Sequence, residues 1–186
     1  VLGQPETAAQ ELSWVDLNNA QGAELAVKHL LEKGYRRIGY LGSNARNGFS
    51  KRRVKGYEQA LSSQQPCIYP TDGTAEQAMQ QAMEALRGAE HPDAFVCNDN
   101  LTAFGLLKAV RACGLGCPRD VGIVTFDNYP LAEFTDPALT SVDVDTALLG
   151  EQAARLLFQQ IDHHTPNQQI VLGTTLVERI SSDRME

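Results

Sequence analysis

Three short polar runs follow apolar stretches of strand length. Residues 38–41 lead into Gly42-Ser43-Asn44-Ala45-Arg46-Asn47, with Arg52 and Arg53 shortly beyond. Residues 94–97 deliver Asn98-Asp99-Asn100, and residues 121–126 deliver Asp127-Asn128-Tyr129. Guanidinium, amide and carboxylate groups are planar and make paired hydrogen bonds to vicinal hydroxyls or to the edge of a heterocycle. Phe49, Tyr69 and Tyr129 lie in the same loops and can stack on a ring. Such a mix suits a small polar ligand such as a sugar. Taken singly, Asn98 and Asp127 serve equally well as helix or turn caps; three strand ends together favour a pocket. The pattern does not separate Arg52 from Arg53.

Other chemistries find little support. There is no G-x-x-x-x-G-K-[ST] phosphate loop, no G-x-G-x-x-G after a strand, no G-x-S-x-G elbow and no H-E-x-x-H. The expectation is therefore a protein without cofactor or metal that is not an enzyme. His29 lies in a helical pattern, His91 precedes a proline, and His163 and His164 occupy a late turn, which is no metal-ligand spacing. Asp143 and Asp145 share a strand face, with Asp16 the one further carboxylate expected nearby, and read as solvated or turn-capping groups. Lys51-Arg52-Arg53-Val54-Lys55 reads mostly as a solvated helix start, with one arginine able to turn inward to a ligand. Cys67, Cys97, Cys113 and Cys117 read as reduced thiols of a cytosolic protein.

The elements that must hold these groups are legible as periodicity. Apolar runs at 38–41, 67–69, 94–97 and 121–126 start about 26 to 30 residues apart, the spacing of βαβ units. Between them, residues 21–33 place Leu25, Ala26, His29 and Leu30 on one face before Gly34, and a helix is expected over 52–62. Thr74 caps a third helix that ends at Gly88, and 100–113 is the most apolar helix. The stripe Leu101, Phe104, Leu106, Leu107 and Val110 is a core pattern whose near all-round apolarity also suits a subunit interface. Further strands are expected at 139–145, 169–172 and 175–180, a helix at 148–161 and a frayed tail. Strands apolar almost throughout need helices on both sheet faces, so the fold class is a parallel, doubly wound α/β sheet.

Composition agrees. Sixteen Lys+Arg against 23 Asp+Glu leave a formal charge of -7, an unsuitable surface for gripping DNA unaided. No apolar run approaches the roughly 20 residues of a membrane span, so no membrane partner is expected. The chain opens on Val1 without the basic and apolar regions of a signal peptide, the pattern of a chain whose front has been cut away.

Several segments, in order, resemble the LacI/GalR transcriptional regulators. They are His29-Leu30-Leu31-Glu32-Lys33-Gly34-Tyr35-Arg36-Arg37-Ile38-Gly39-Tyr40-Leu41-Gly42, Arg53-Val54-Lys55-Gly56-Tyr57 and Pro92-Asp93-Ala94-Phe95-Val96-Cys97-Asn98-Asp99-Asn100. Val121-Gly122-Ile123-Val124-Thr125-Phe126-Asp127-Asn128, Asp136-Pro137-Ala138-Leu139-Thr140-Ser141-Val142 and Leu176-Val177-Glu178-Arg179-Ile180-Ser181 complete the set. The resemblance implies a two-lobed, periplasmic-binding-protein-like type I effector domain with its first lobe largely missing. Residues 1–18 and 144–173 would be remnants of that lobe, and 19–143 with 174–186 the C-terminal lobe. It further implies a small effector, a sugar or derivative rather than a purine, bound by Arg53, Asn98 and Asp127, with Arg46 and Tyr69 as further candidates. A homodimer through Leu101, Phe104, Leu107 and Phe134 is implied, as is operator DNA contacted through an N-terminal helix-turn-helix outside this sequence. Where many members carry Gln at the crossover, this chain has Val144. The alternative is a periplasmic sugar-binding protein that feeds a transporter.

Overall fold

The computed structural model describes residues 1–7, 9–43, 48–62, 64–163 and 166–184. Arg46 and His164 lie outside the described residues. In chain order, β1 (Trp14–Leu17) leads into α1 (Asn19–Glu32), then β2 (Ile38–Ser43), α2 (Gly48–Ala60), β3 (Cys67–Thr71), α3 (Ala75–Arg87), β4 (Ala94–Cys97) and α4 (Asn100–Ala112). β5 (Gly122–Phe126), β6 (Thr140–Asp143), α5 (Thr146–His163), β7 (Gln169–Leu172) and β8 (Thr175–Val177) come next.

Strand alternation sorts the core into two layers. Leu41, Phe95 and Ile123 point to one face of the sheet, where α3 and α4 contribute Ala78, Ala82, Leu106 and Val110. Their neighbours Tyr40, Val96 and Val124 point to the other, against Ala23, Ala26 and Leu30 of α1 and Tyr57 of α2. The sheet is buried on both faces, which is why its strands are apolar throughout. Six strands run in the order β3-β2-β4-β5-β6-β8, all parallel except β8 against β6. β1 pairs with β7 in a separate two-stranded parallel sheet, extended by a bridge from Leu2 to Val15. The large sheet reverses its winding between β2 and β4, because β3 lies on one side of β2 and β4 on the other. Ligands in such sheets lie beyond the strand ends at that reversal.

Thr74 caps α3 as its sequence suggests, its side chain accepting from Gln77 N at 3.2 Å. Two expectations need correction. Helix α2 starts at Gly48 and not at 52, so Arg52 and Arg53 sit in its second turn, where one is buried and its neighbour is not. The tail is not frayed at Ser181 and Ser182, both fully buried. Ser181 Oγ donates to Ile123 O at 2.6 Å, and Ser182 Oγ lies 2.6 Å from Thr140 Oγ1 and 2.7 Å from His29 Nε2. Small hydroxyl side chains let this segment meet the sheet with its polar atoms satisfied. All four cysteines are free, and burial pushes the Cys97 thiol well above its ordinary range and that of Cys117 up to about 12.

His29 carries a pH dependence. Burial lowers its pKa, and the nearby Glu178 opposes this only in part. The folded chain therefore binds the proton less readily than the unfolded one. Its stabilising contribution is complete above the unfolded value of 6.5 and is lost as pH falls through the lower folded value. The unfolding free energy from urea titrations should fall as pH drops from neutrality through the folded value, by about 1.4 kcal/mol for each pH unit of pKa depression. His29→Gln should flatten that slope, and an equal slope in the variant would rule the histidine out.

Candidate functional site

Helix α2 buries Ser50, Arg53, Gly56 and Tyr57, one face at intervals of three and four. Arg53 is 4% exposed, yet it lines an open cleft of about 760 Å³. Its guanidinium is held on every nitrogen. Nε donates to Asn19 Oδ1 at 2.9 Å, Nη2 donates to Asp127 Oδ1 at 3.0 Å, and Nη1 donates to the Asn98 carbonyl. The Phe126 ring centroid is 3.9 Å from Arg53 Cζ and that of Phe49 is 5.1 Å away, so the cation lies over two aromatic rings. A guanidinium has five N–H donors; three are occupied here among the described residues.

Asp127 succeeds β5 with φ of 77°, and Asn128 comes after it with φ of 27°. Left-handed backbone at two successive non-glycine residues costs free energy that the surroundings must offset, and such positions cluster at functional sites. The turn is secured from both sides. Asp127 N donates to Val142 O, Asn128 Nδ2 donates to Asp143 Oδ1, and Arg179 Nη2 donates to Asn128 Oδ1. The Asp127 side chain stays 39% exposed, and among the described residues its Oδ1 alone is engaged, by Arg53.

Asn98 is brought beside Arg53, but it is absent from the cleft wall and its side chain is largely occupied. Oδ1 accepts from Tyr40 Oη at 2.8 Å and Ser50 Oγ at 3.2 Å, while Nδ2 donates to Asp99 Oδ2 at 3.1 Å. Burial raises the Tyr40 phenol well above its ordinary value, so it remains a neutral donor. A Cβ on Gly42 would stand 2.4 Å from Asn98 Cβ, so the close approach of β2 to this amide requires glycine. Asp99 caps α4 through Thr102 N at 2.9 Å.

Tyr69 does not join this group. On β3 its ring is 5.7 Å from that of Phe95 and packs against the α3–α4 layer, so it is absent from the cleft wall. Strand alternation sends it to that layer. Among the interface candidates, Leu101 is 55% and Phe134 80% exposed, and Phe104 is half-buried. Leu107 is 8% exposed and belongs to the core, a correction that stems from its place on the sheet-facing side of α4. Of the carboxylates, Asp145 caps α5 through Leu148 N, and Asp16 pairs with Arg52. Among the described residues no three His, Cys, Asp or Glu side chains cluster to hold a metal ion, and no helix is long and apolar enough to cross a membrane. Sequence reasoning missed Asn19, Tyr40 and Ser50. The strand-end rule applied to β1 would have found Asn19; the other two carry no signal of their own.

Residues 27–182 match the periplasmic binding protein-like domain family. The HTH-type transcriptional regulator CelR of Thermobifida fusca is 32% identical over 97% of this chain and 54% of its own length. The HTH-type transcriptional repressor PurR of Mannheimia succiniciproducens is 30% identical over 78% of this chain and 45% of its own length. The chain thus spans about half the length of the curated relatives it matches. The solved complex of CelR with cellobiose superposes with a TM-score of 0.88 at 30% identity, covering 97% of this chain and 57% of that one. On the family match and the near-complete alignment to regulators, the chain belongs to the periplasmic binding protein-like domains, in the form carried by LacI-type transcriptional regulators.

Proposed function

We propose that this chain is the effector-binding and dimerisation part of a cytoplasmic bacterial transcriptional regulator, and that its cleft takes a sugar or sugar derivative. The observation that carries the reading is the Arg53–Asp127 pair at 3.0 Å on the wall of the cleft, with the Asn98 carbonyl accepting from Arg53 behind it. Among the described residues Asp127 Oδ2 accepts no hydrogen bond, and a carboxylate beside a guanidinium suits vicinal hydroxyls. The relatives support a regulator over a transport protein, and the bound cellobiose of CelR supports a sugar. None of the relatives named is an enzyme.

The separate β1–β7 sheet supports reading 1–18 and 144–173 as parts of a first lobe, with 19–143 and 174–186 as the second. Ligand would then act by binding one arrangement of the lobes better than another, and so bias DNA-binding segments outside this sequence. Leu101, Phe104 and Phe134 would form the dimer contact.

The test is a thermal-shift screen of the full-length protein against cellobiose, other sugars, sugar phosphates and purines, with sedimentation velocity on the same samples. A sugar at about 100 times its Kd should stabilise by about 2.7 kcal/mol, and the protein should sediment as a dimer. Stabilisation by a purine alone would overturn the ligand class, and a monomer would remove the interface.

A further inference from the structure

Adjacent arginines on α2 have different partners. Arg53 is held within the large sheet's own layer, whereas Arg52 reaches across the cleft to β1, where its Nη2 lies 2.6 Å from Asp16 Oδ2. Asp16 is 7% exposed and heavily bonded. Its Oδ2 also accepts from Gln4 N at 2.9 Å, and its Oδ1 accepts from Leu17 N at 2.7 Å and Asn19 Nδ2 at 3.4 Å. Beside it, Lys51 Nζ lies 2.8 Å from Glu6 Oε1, an exposed pair of the kind that contributes little alone. Asn19 joins this cluster to the candidate site, because its amide N–H faces Asp16 and its Oδ1 accepts from Arg53. One chain of polar contacts therefore runs Arg52–Asp16–Asn19–Arg53–Asp127.

We propose that the Arg52–Asp16 pair is a tie across the cleft that fixes the spacing of the two sheets before ligand arrives, so that both are positioning residues for the ligand. The inference rests on the reading that this cleft binds a ligand. The tie joins α2, packed on the large sheet, to β1 of the small one, and its Asp16 end is buried and its Arg52 end half-buried where both ends of Lys51–Glu6 are exposed. The shared Asn19 gives it a physical route to the Arg53 guanidinium. A cleft that is already spaced correctly binds without first shifting a population of wider forms, and losing the tie lowers apparent affinity by the fraction that opens.

The experiment uses the full-length protein with Asp16→Asn, Arg52→Met, the double variant and the conservative Arg52→Lys. Nitroxides placed through non-canonical residues at Val171 and Glu58 report the sheet spacing without ligand, and calorimetry measures binding of cellobiose and other sugars. In the ligand-free protein both single variants should broaden and lengthen the label distance. Each should weaken binding by about threefold to tenfold, and the double variant should be no worse than either single one. Arg52→Lys, which keeps a charge near Asp16 without the fork, should fall between wild type and Arg52→Met and shows that the effect is not misfolding. An unchanged label distance in folded Asp16→Asn and Arg52→Lys overturns the tie, as do additive losses, which would make each residue a separate ligand contact. If wild type binds no sugar, the ligand reading falls, while the label distances still decide whether the tie exists.

Discussion

Replacing Arg53 by methionine should cost stability and sugar affinity together. The side chain is 5% exposed and supplies donors to Asn19, Asn98 and Asp127 while lying against two aromatic rings. Methionine keeps most of the packing volume but none of the donors. The Asn19 amide oxygen, on a residue 2% exposed, and the Asn98 carbonyl are then left buried without that partner. Asp127 loses its cation but is 39% exposed and regains water, which limits that part of the cost. The expected loss is about 2–4 kcal/mol. Sugar binding should fall more than about 100-fold, because the guanidinium both orients Asp127 and offers its own N–H groups. Arg53→Lys separates the two effects: it retains a charge near Asp127 but cannot reach three acceptors as a planar fork. Urea unfolding and calorimetry on both variants give the answer. If Arg53→Met left sugar affinity unchanged, Arg53 would be a structural arginine and the ligand would sit elsewhere.

The legible and illegible parts of this site differ in a physical way. Strand-end logic singled out Asn98 and Asp127, both of which accept from Arg53, because chain order alone decides which residues come directly after an apolar run. It could not choose between Arg52 and Arg53, which depends on the phase of α2, and that phase is set by a start at Gly48 that the sequence does not announce. The alternation of strands and helices was legible because their periods differ, and Tyr69 went astray because a strand's two faces look alike when both are buried. Asn98 was correctly placed beside Arg53, but nothing in its own segment shows that Tyr40 and Ser50 occupy its oxygen. Those partners come from β2 and α2, far off in the chain. Resemblance to a family supplied the choice of Arg53; the geometry shows the physical difference between the two arginines.

Gly56→Ala should be strongly destabilising, against the expectation from helix propensity. In an exposed helix interior that change favours the helix by about 1 kcal/mol. Here the new Cβ would stand 2.1 Å from Ala20 O, 2.7 Å from Ala20 C and 2.8 Å from Ala20 Cα, all backbone atoms of α1. No side-chain rotation relieves that clash, so α1 must move away from α2. Overpacking of this kind costs about 1–3 kcal/mol, and more where backbone has to yield; about 3 kcal/mol is expected. The movement also reaches the site. Asn19, next to Ala20, accepts from Arg53 at 2.9 Å, and Arg53 precedes Gly56 by three residues on the same buried face. The R-x-x-G-aromatic spacing thus has a mechanical meaning. Glycine lets the helices approach closely enough for the arginine to reach Asn19, and Tyr57 anchors the same face by donating from Oη to Ile38 O at 2.8 Å. Sugar affinity should fall alongside stability. Ala20→Gly in the same protein should not rescue it, since the atoms in conflict at residue 20 belong to the main chain. Urea midpoints for the single and double variants decide the matter: a neutral or stabilised Gly56→Ala would mean that the helices separate without cost, and rescue by Ala20→Gly would place the clash in a side chain.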